Sequence, residues 1–230
     1  MPDETVKPSL GYFGKVPERG DFIQDQISPD FVKPWNEWLQ ATLAVSREQL
    51  GEEWLDYYLT SPVWHFSLSA GVCGDSGMVG TFMPSIDQVG RHFYFTVAAE
   101  VDRPAVCYWL RQQWSQNTED HVLKLLDEPI DLKQWISTLN TADGFLEEKP
   151  ERPVIMIDTS NSEQLVLLGG QDFHSDHLQH KAFREKFDRY CIWWTSGSEQ
   201  IPECTLVTKG LPLVSQFSAM LDGNWEQWGW

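Results

Sequence analysis

The clearest periodic stretch of the chain predicts a long amphipathic helix near the N-terminus. Ser28-Pro29-Asp30 offers a capping residue, and large apolar side chains then recur at helical spacing until Gly51. These side chains are Trp35, Trp38, Leu39, Leu43 and Leu50. We therefore expect a helix over about residues 30–50, followed by a shorter helix over residues 52–59.

Beyond Pro62 the apolar period changes to two, which predicts strands. Residues 63–68 alternate, residues 78–83 resume the pattern after a turn, and residues 91–99 form a third run rich in aromatic and β-branched side chains. The connections are too short for a crossover, so they favour antiparallel pairing. Three consecutive strands of a meander are expected here.

In the remainder of the chain, segments with helical spacing alternate with short apolar runs typical of strands. Helical spacing is found after Pro104, near Thr118 and after Asp131, and again over residues 176–188 and 213–221. Short apolar runs predict strands at residues 154–157, 165–168, 191–195 and 205–207. The segment 147–153 is typical of a linker, but the alternation after it indicates a return to the same sheet. The predicted fold is α+β, a mostly antiparallel β-sheet flanked by helices, in a single domain over residues 1–230.

Composition and charge narrow the classes of partner. The chain has 34 acidic and 17 basic residues, a net charge of −17, so its mean field repels nucleic acid and anionic lipid. It has neither a secretory leader pattern nor a run of eighteen apolar residues, so a cytoplasmic protein without stable membrane insertion is expected. Its four cysteines lie far apart and form no Cys-x-x-Cys pair, which argues against a zinc ribbon and for buried free thiols.

A loop dense in glycine and proline precedes the first helix and is interpreted as structural. Arg19-Gly20-Asp21 within it matches a surface adhesion motif, but a turn in which the two charged side chains pair with each other or with backbone explains it equally well. A second charge pair lies four residues apart beside Gly90, where it either locks a turn or presents a functional carboxylate. The residues interpreted as bracing the fold are Gly11, Gly14, Pro17, Arg19, Gly20, Asp21, Asp87 and Arg91.

Histidines provide the one hint of catalysis. His174, Asp176, His177 and His180 have metal-ligand composition, and His177 and His180 share a helix face at a spacing of three. No further ligand or general base is indicated elsewhere, and Ser175 or Asp176 serves equally as a helix cap. We therefore expect no metal and no catalytic residue. No phosphate-binding glycine loop or nucleophile elbow is present, and no cofactor is expected.

Tryptophans are the candidate contacts for a protein partner, since interfaces concentrate their binding energy in a few aromatic anchors. Trp193 and Trp194 are expected to point to opposite faces of a strand, so at most one lies in the core and the other needs a covering element or a partner. Trp225, Trp228 and Trp230 either tuck back onto the body or form an exposed patch. At least one of these five is expected to be accessible.

Several segments in order carry a resemblance to a known family. They are residues 11–22, Pro34-Trp35 with Trp38-Leu39-Gln40, Trp54-Leu55 with Tyr58-Leu59, residues 61–64 with Phe66, residues 71–74, residues 83–91, Trp193-Trp194-Thr195 and Gly210-Leu211-Pro212. Together they resemble TagF, the type VI secretion-associated family. The resemblance covers nearly the whole chain, and residues 100–154 are its least diagnostic part.

The resemblance implies a cytoplasmic, non-enzymatic repressor. Such a protein holds type VI secretion off after translation by binding the forkhead-associated scaffold protein of that system. In some relatives the module is fused to a PppA-type phosphatase, and this chain is too short for that fusion, so any phosphatase is expected to be a separate polypeptide. The alternatives are a metal-dependent hydrolase that uses His174, His177 and His180, and a structural accessory component of the secretion machine.

Overall fold

The computed structural model describes residues 8–127, 130–141, 155–158, 165–168 and 176–230. The strands are β1 Gly11–Gly14, β2 Ile23–Asp25, β3 Trp64–Leu68, β4 Gly77–Met83, β5 Phe95–Val101, β6 Ile155–Asp158, β7 Leu165–Leu168, β8 Cys191–Thr195 and β9 Cys204–Thr208. The α-helices are α1 Pro29–Leu50, α2 Trp54–Leu59, α3 Ala105–Trp109, α4 Gln113–Asp127, α5 Leu132–Thr141, α6 Asp176–Phe187 and α7 Ala219–Asp222. Short 3-10 helices lie at Gly51–Glu53 and Val214–Gln216.

Seven strands form one open antiparallel sheet in the order β2-β1-β5-β4-β3-β8-β9. The predicted meander is its centre, where β4 pairs with β3 on one side and with β5 on the other. β1 adds to β5, and β8 adds to β3. The sheet thus joins strands from both halves of the sequence, which confirms the α+β class with a mostly antiparallel sheet.

One face of the sheet is covered by α1, α2 and the C-terminal segment around an aromatic core. Trp35 on α1 is fully buried, with its ring 4.6 Å from Phe66 on β3 and 6.1 Å from Trp193 on β8, measured between centroids. Its indole N–H donates to Thr96 Oγ1 at 3.0 Å. Because Trp35 contacts two strands and bonds to a third, it fixes the position of α1 across the sheet.

The opposite face is covered by α3, α4 and α5 around a second core. β3 supplies His65 and Ser67 to this face, both buried. His65 Nδ1 lies 2.8 Å from Thr81 Oγ1 on β4, and Nε2 lies 3.1 Å from Glu119 Oε2 on α4. Burial lowers the pKa of His65 more than Glu119 raises it, so the neutral ring is favoured. This hydrogen-bonded chain fastens α4 to the sheet.

Five details differ from the sequence predictions. Gly11 and Gly14, interpreted from the sequence as part of a loop, lie in β1 and pair with β5. The third strand begins at Phe95 instead of residue 91, because the residues before it are held in a turn. The closing helix is divided into a 3-10 helix and α7. Ser28 makes no side-chain cap hydrogen bond to α1. β6 and β7 pair with each other in a separate two-stranded sheet, so of the four strands predicted after residue 153 only β8 and β9 belong to the main sheet. Residues 147–153 lie outside the described ranges.

Candidate partner-binding surface

A buried carboxylate, Asp87, organises the turn between β4 and β5. Its Oδ2 accepts hydrogen bonds from Lys15 Nζ at 2.8 Å and Arg91 Nε at 2.6 Å. Its Oδ1 accepts from the backbone N–H groups of Val89 at 3.0 Å and Arg91 at 2.9 Å. The Asp87 side chain is fully buried, whereas Arg91 is 59% exposed. One carboxylate therefore fixes the turn and ties it to Lys15, directly after β1.

The same contacts join the first loop, between β1 and β2, to the second loop, between β4 and β5. Arg91 Nη2 donates to the carbonyl of Gly20, and the backbone N–H of Gln88 donates to the carbonyl of Arg19 at 3.1 Å. Gly14 has a φ of +139°, and a Cβ there would overlap the carbonyl of Tyr94. The end of β1 can therefore lie directly against the residues at the start of β5, which only glycine at this position permits.

The ionisation of Asp87 follows from these partners. Burial by itself would raise the pKa of the carboxyl, but the hydrogen bonds from Lys15, Arg91 and the Val89 N–H outweigh it. The pKa is held well below the ordinary aspartate range, so the group is charged at neutral pH. A buried carboxylate whose two oxygens are both hydrogen-bonded is better suited to stabilising the turn than to transferring a proton. This agrees with the interpretation of Asp87 as a bracing residue, which remains a prediction.

Exposed side chains surround this braced centre. Phe22 is 46% exposed and packs against the buried Phe93 at 4.7 Å between ring centroids. Val89 at the tip of the second loop is 70% exposed. With the exposed Arg19 and Arg91 they form what we call the two-loop surface, defined as Arg19, Phe22, Val89 and Arg91.

Sequence reasoning missed two members of this surface and one member of its support. Phe22 and Val89 are apolar residues within otherwise polar loops, and that local contrast was the available signal. Lys15 gave no signal, because its pairing with Asp87 spans 72 positions. Arg19 and Asp21 form no ion pair with each other within the described residues. Instead the backbone N–H of Arg19 donates to the carbonyl of Val16 at 3.1 Å.

The tryptophan doublet faces two cores instead of a partner. Trp193 and Trp194 point to opposite faces of β8, as predicted, but both are buried, with exposures of 0% and 4%. The expectation that at most one lies in the core is wrong, because helices cover both faces of the sheet. Trp194 donates to Ser115 Oγ near the start of α4 at 3.2 Å. Neither indole is accessible to a partner in this fold.

The C-terminal tryptophans tuck back onto the body and are half-buried. Trp228 Nε1 donates to Asp222 Oδ2 at 2.8 Å, and Trp230 Nε1 donates to the carbonyl of Gln216 at 2.9 Å. Trp225 packs edge-on against Trp230 at 5.4 Å between centroids. Partial exposure leaves these three as candidate contacts, and their partner role remains a prediction.

Only part of the histidine cluster lies within the described ranges. His174 lies outside them, and the described ranges contain no group of three or more metal-ligating side chains. His180 Nδ1 lies 2.8 Å from the hydroxyl of Tyr190. Asp176 is buried, and its Oδ1 accepts from the backbone N–H of His177 at 3.0 Å at the start of α6. The His180 side chain is thus engaged with Tyr190, whereas His177 contributes its backbone N–H to the start of α6.

We expect the purified protein to hold no stoichiometric zinc. The double variant His177→Ala/His180→Ala should lose only about 1 kcal/mol of stability, because one part-buried hydrogen bond to Tyr190 is removed. Elemental analysis and thermal unfolding of both proteins check this. One tightly bound metal per chain, lost in the double variant, would contradict the prediction.

The fold and the surface together define an α+β protein with an open antiparallel sheet between two helical layers and a braced pair of loops at one end. The chain belongs to the TagF family: the family model described as TagF N-terminal domain, Type VI secretion system-associated, matches residues 11–142, more than half of its 230 residues. Both loops of the two-loop surface lie within the matched segment. The protein therefore has a role related to type VI secretion.

A solved structure supports the same assignment. The crystal structure of PA0076 from Pseudomonas aeruginosa PAO1 is similar to this chain with a TM-score of 0.77 and 29% sequence identity. The match covers 94% of this chain and 95% of PA0076. The search of curated proteins gave no match. Among the helices of the described ranges, none combines the length and the apolar character needed to cross a membrane.

Proposed function

We propose that this protein is a non-enzymatic negative regulator of a bacterial type VI secretion system that acts after translation, in the cytoplasm. It does so by binding the forkhead-associated scaffold protein of that system. Membership of the TagF family supports the link to secretion. The observation that carries the binding role is the two-loop surface, where Phe22, Val89 and Arg91 are exposed on loops that a buried ion pair holds in place.

The surface has the properties of a binding centre. Energetically dominant interface residues are enriched in aromatic side chains and arginine, and they bind best when they are fixed before the partner arrives. Phe22 is held by Phe93 and also stacks on Phe13 at 5.6 Å between centroids. Arg91 is oriented by Asp87 and by the carbonyl of Gly20, while 59% of its side chain stays exposed. Little conformational entropy is then lost when a partner covers these residues.

The net charge of the chain supports electrostatic attraction of the partner during association. A net charge of −17 favours encounter with a partner of net positive charge and repels nucleic acid. Raising the salt concentration should therefore slow association more than it speeds dissociation. A PppA-type phosphatase pathway is the second component of this regulation that we propose.

The test replaces Phe22 in cells that depend on the protein for repression. We expect wild-type protein to hold secretion off, and Phe22→Ser to release it while the cellular protein level stays unchanged. The matched control is Leu213→Ser, since Leu213 is 64% exposed and lies away from both loops in sequence. Secreted type VI proteins in the medium and scaffold protein co-purified from the same cells are the two measurements.

The outcomes separate the alternatives. Full repression and full co-purification with Phe22→Ser would move the interface to another surface, with Trp225, Trp228 and Trp230 the next candidates. Co-purification of secretion-machine components without any effect on repression would favour a structural accessory component. Loss of secretion when the protein is deleted would contradict a negative regulator altogether.

A further inference from the structure

The strand β9 forms one edge of the seven-stranded sheet and has the features of a pairing site. It is hydrogen-bonded to β8 on one side, and within the described ranges no strand pairs with its other side. Proteins usually protect such an edge with a charge, a proline or a very short strand. β9 spans five residues, Cys204–Thr208, with neither charge nor proline among them. The opposite edge, β2, has three residues and ends in Asp25.

The side chains of β9 extend both faces of the sheet to this edge. Cys204 and Leu206 pack against the aromatic core, and Val207 packs against the second core. None of the five residues is fully buried. A strand added here would therefore continue both layers of the domain, while its backbone would pair with the edge N–H and C=O groups that no strand of the described ranges uses.

The charged residues that flank β9 indicate which strand would pair with this edge. Glu203 lies three residues before Leu206, and Lys209 lies three residues after it. Both are exposed, and neither forms an ion pair within the described ranges. In an antiparallel pairing of two identical strands centred on Leu206, each Glu203 stands opposite Lys209 of the other copy. The strand is thus complementary in charge to itself.

We propose that β9 pairs antiparallel with β9 of a second copy of this chain, around a two-fold axis at Leu206. When Leu206 stands opposite Leu206 of the second copy, each face of one sheet continues into the same face of the other. A one-residue slip would instead place the apolar side chains of the added strand on the opposite face. A slip by two residues loses both Glu203–Lys209 pairs. The contact is isologous, so it closes at a dimer and does not continue into a filament.

This inference is independent of the proposed regulatory function, and the oligomeric state tests it. Sedimentation equilibrium of the wild-type protein should show a dimer that dissociates on dilution. Glu203→Lys and Lys209→Glu should each weaken it by roughly tenfold, because two attractive pairs become repulsive. The double variant Glu203→Lys/Lys209→Glu carries the same pairs reversed and should dimerise within about threefold of wild type.

A second measurement fixes the register. In a Cys204→Ser background, Leu206→Cys should form an intermolecular disulfide on mild oxidation, because directly opposed residues of antiparallel strands bring their Cβ atoms close. Leu213→Cys is the matched control at an exposed leucine outside the strand and should not crosslink. A wild-type monomer at high concentration, or a dimer that the single charge reversals leave unchanged, would overturn the proposal. A monomer whose edge binds an extended peptide of another protein would also overturn it.

Discussion

Replacement of Trp35 by alanine is expected to lower the free energy of unfolding by about 3–5 kcal/mol. For a chain of this size the melting temperature should fall by on the order of 10 °C. The side chain has 0% exposure and lies between Phe31, at 5.2 Å between ring centroids, and the strands beneath α1. Removal of the indole leaves a large cavity that surrounding rigid rings cannot fill.

The lost hydrogen bond adds to the cavity. Trp35 Nε1 donates to Thr96 Oγ1 at 3.0 Å, and Thr96 is itself fully buried, so the variant leaves a buried hydroxyl without this donor. Thermal and denaturant unfolding of Trp35→Ala measure the effect, with the exposed Leu213→Ala as the control, expected within about 0.5 kcal/mol of wild type. A loss below about 1 kcal/mol in Trp35→Ala would contradict the packing described for α1.

Asp87→Asn is expected to lower the melting temperature by roughly 5 °C or more. The substitution keeps the shape of the side chain but removes the charge that Lys15 and Arg91 share. Lys15 is only 8% exposed at its side chain, so its ammonium group would be left buried without its counter-ion. Asp120→Asn, an exposed change of the same chemistry on α4, should have little effect.

The pH dependence of this variant has a defined sign. The folded-state pKa of Asp87 is lowered, so its stabilising contribution is present above the ordinary aspartate pKa of roughly 3.9 and is lost as the pH falls below it. The difference between wild type and Asp87→Asn should therefore be constant near neutral pH and shrink in acid. Unfolding midpoints measured across this range test it. A difference that grows in acid would contradict a charged, paired Asp87.

Local patterns were sufficient for the sequence to predict much of the fold. The period of Trp35, Trp38 and Leu39 predicted α1 closely, since one helical face carries all three. The i, i+4 spacing of Asp87 and Arg91 indicated a charge pair at this turn, and Arg91 Nε lies 2.6 Å from Asp87 Oδ2. Both are properties of neighbouring residues, which is why a sequence reveals them. That the pair braces the fold remains a prediction.

Features set by distant residues were not predictable in the same way. The partners of Asp87 include Lys15, which directly follows β1, and the burial of Trp194 depends on α4, which lies far away in sequence. The sequence alone could not show whether the Trp194 indole is buried in a second core or exposed to a partner. Exposure of Phe22 likewise depends on how two loops meet, so the two-loop surface emerged only from the fold.

Calorimetric titration of the purified protein with the purified forkhead-associated scaffold protein tests the central claim most directly. The proposed function predicts saturable binding by wild type and a loss of roughly thirtyfold in affinity for Phe22→Ser, the cost of removing a central aromatic anchor. Leu213→Ser should bind as wild type does. Absence of binding by the folded wild-type protein would contradict the proposed mechanism, and equal affinity of wild type and Phe22→Ser would contradict the two-loop surface.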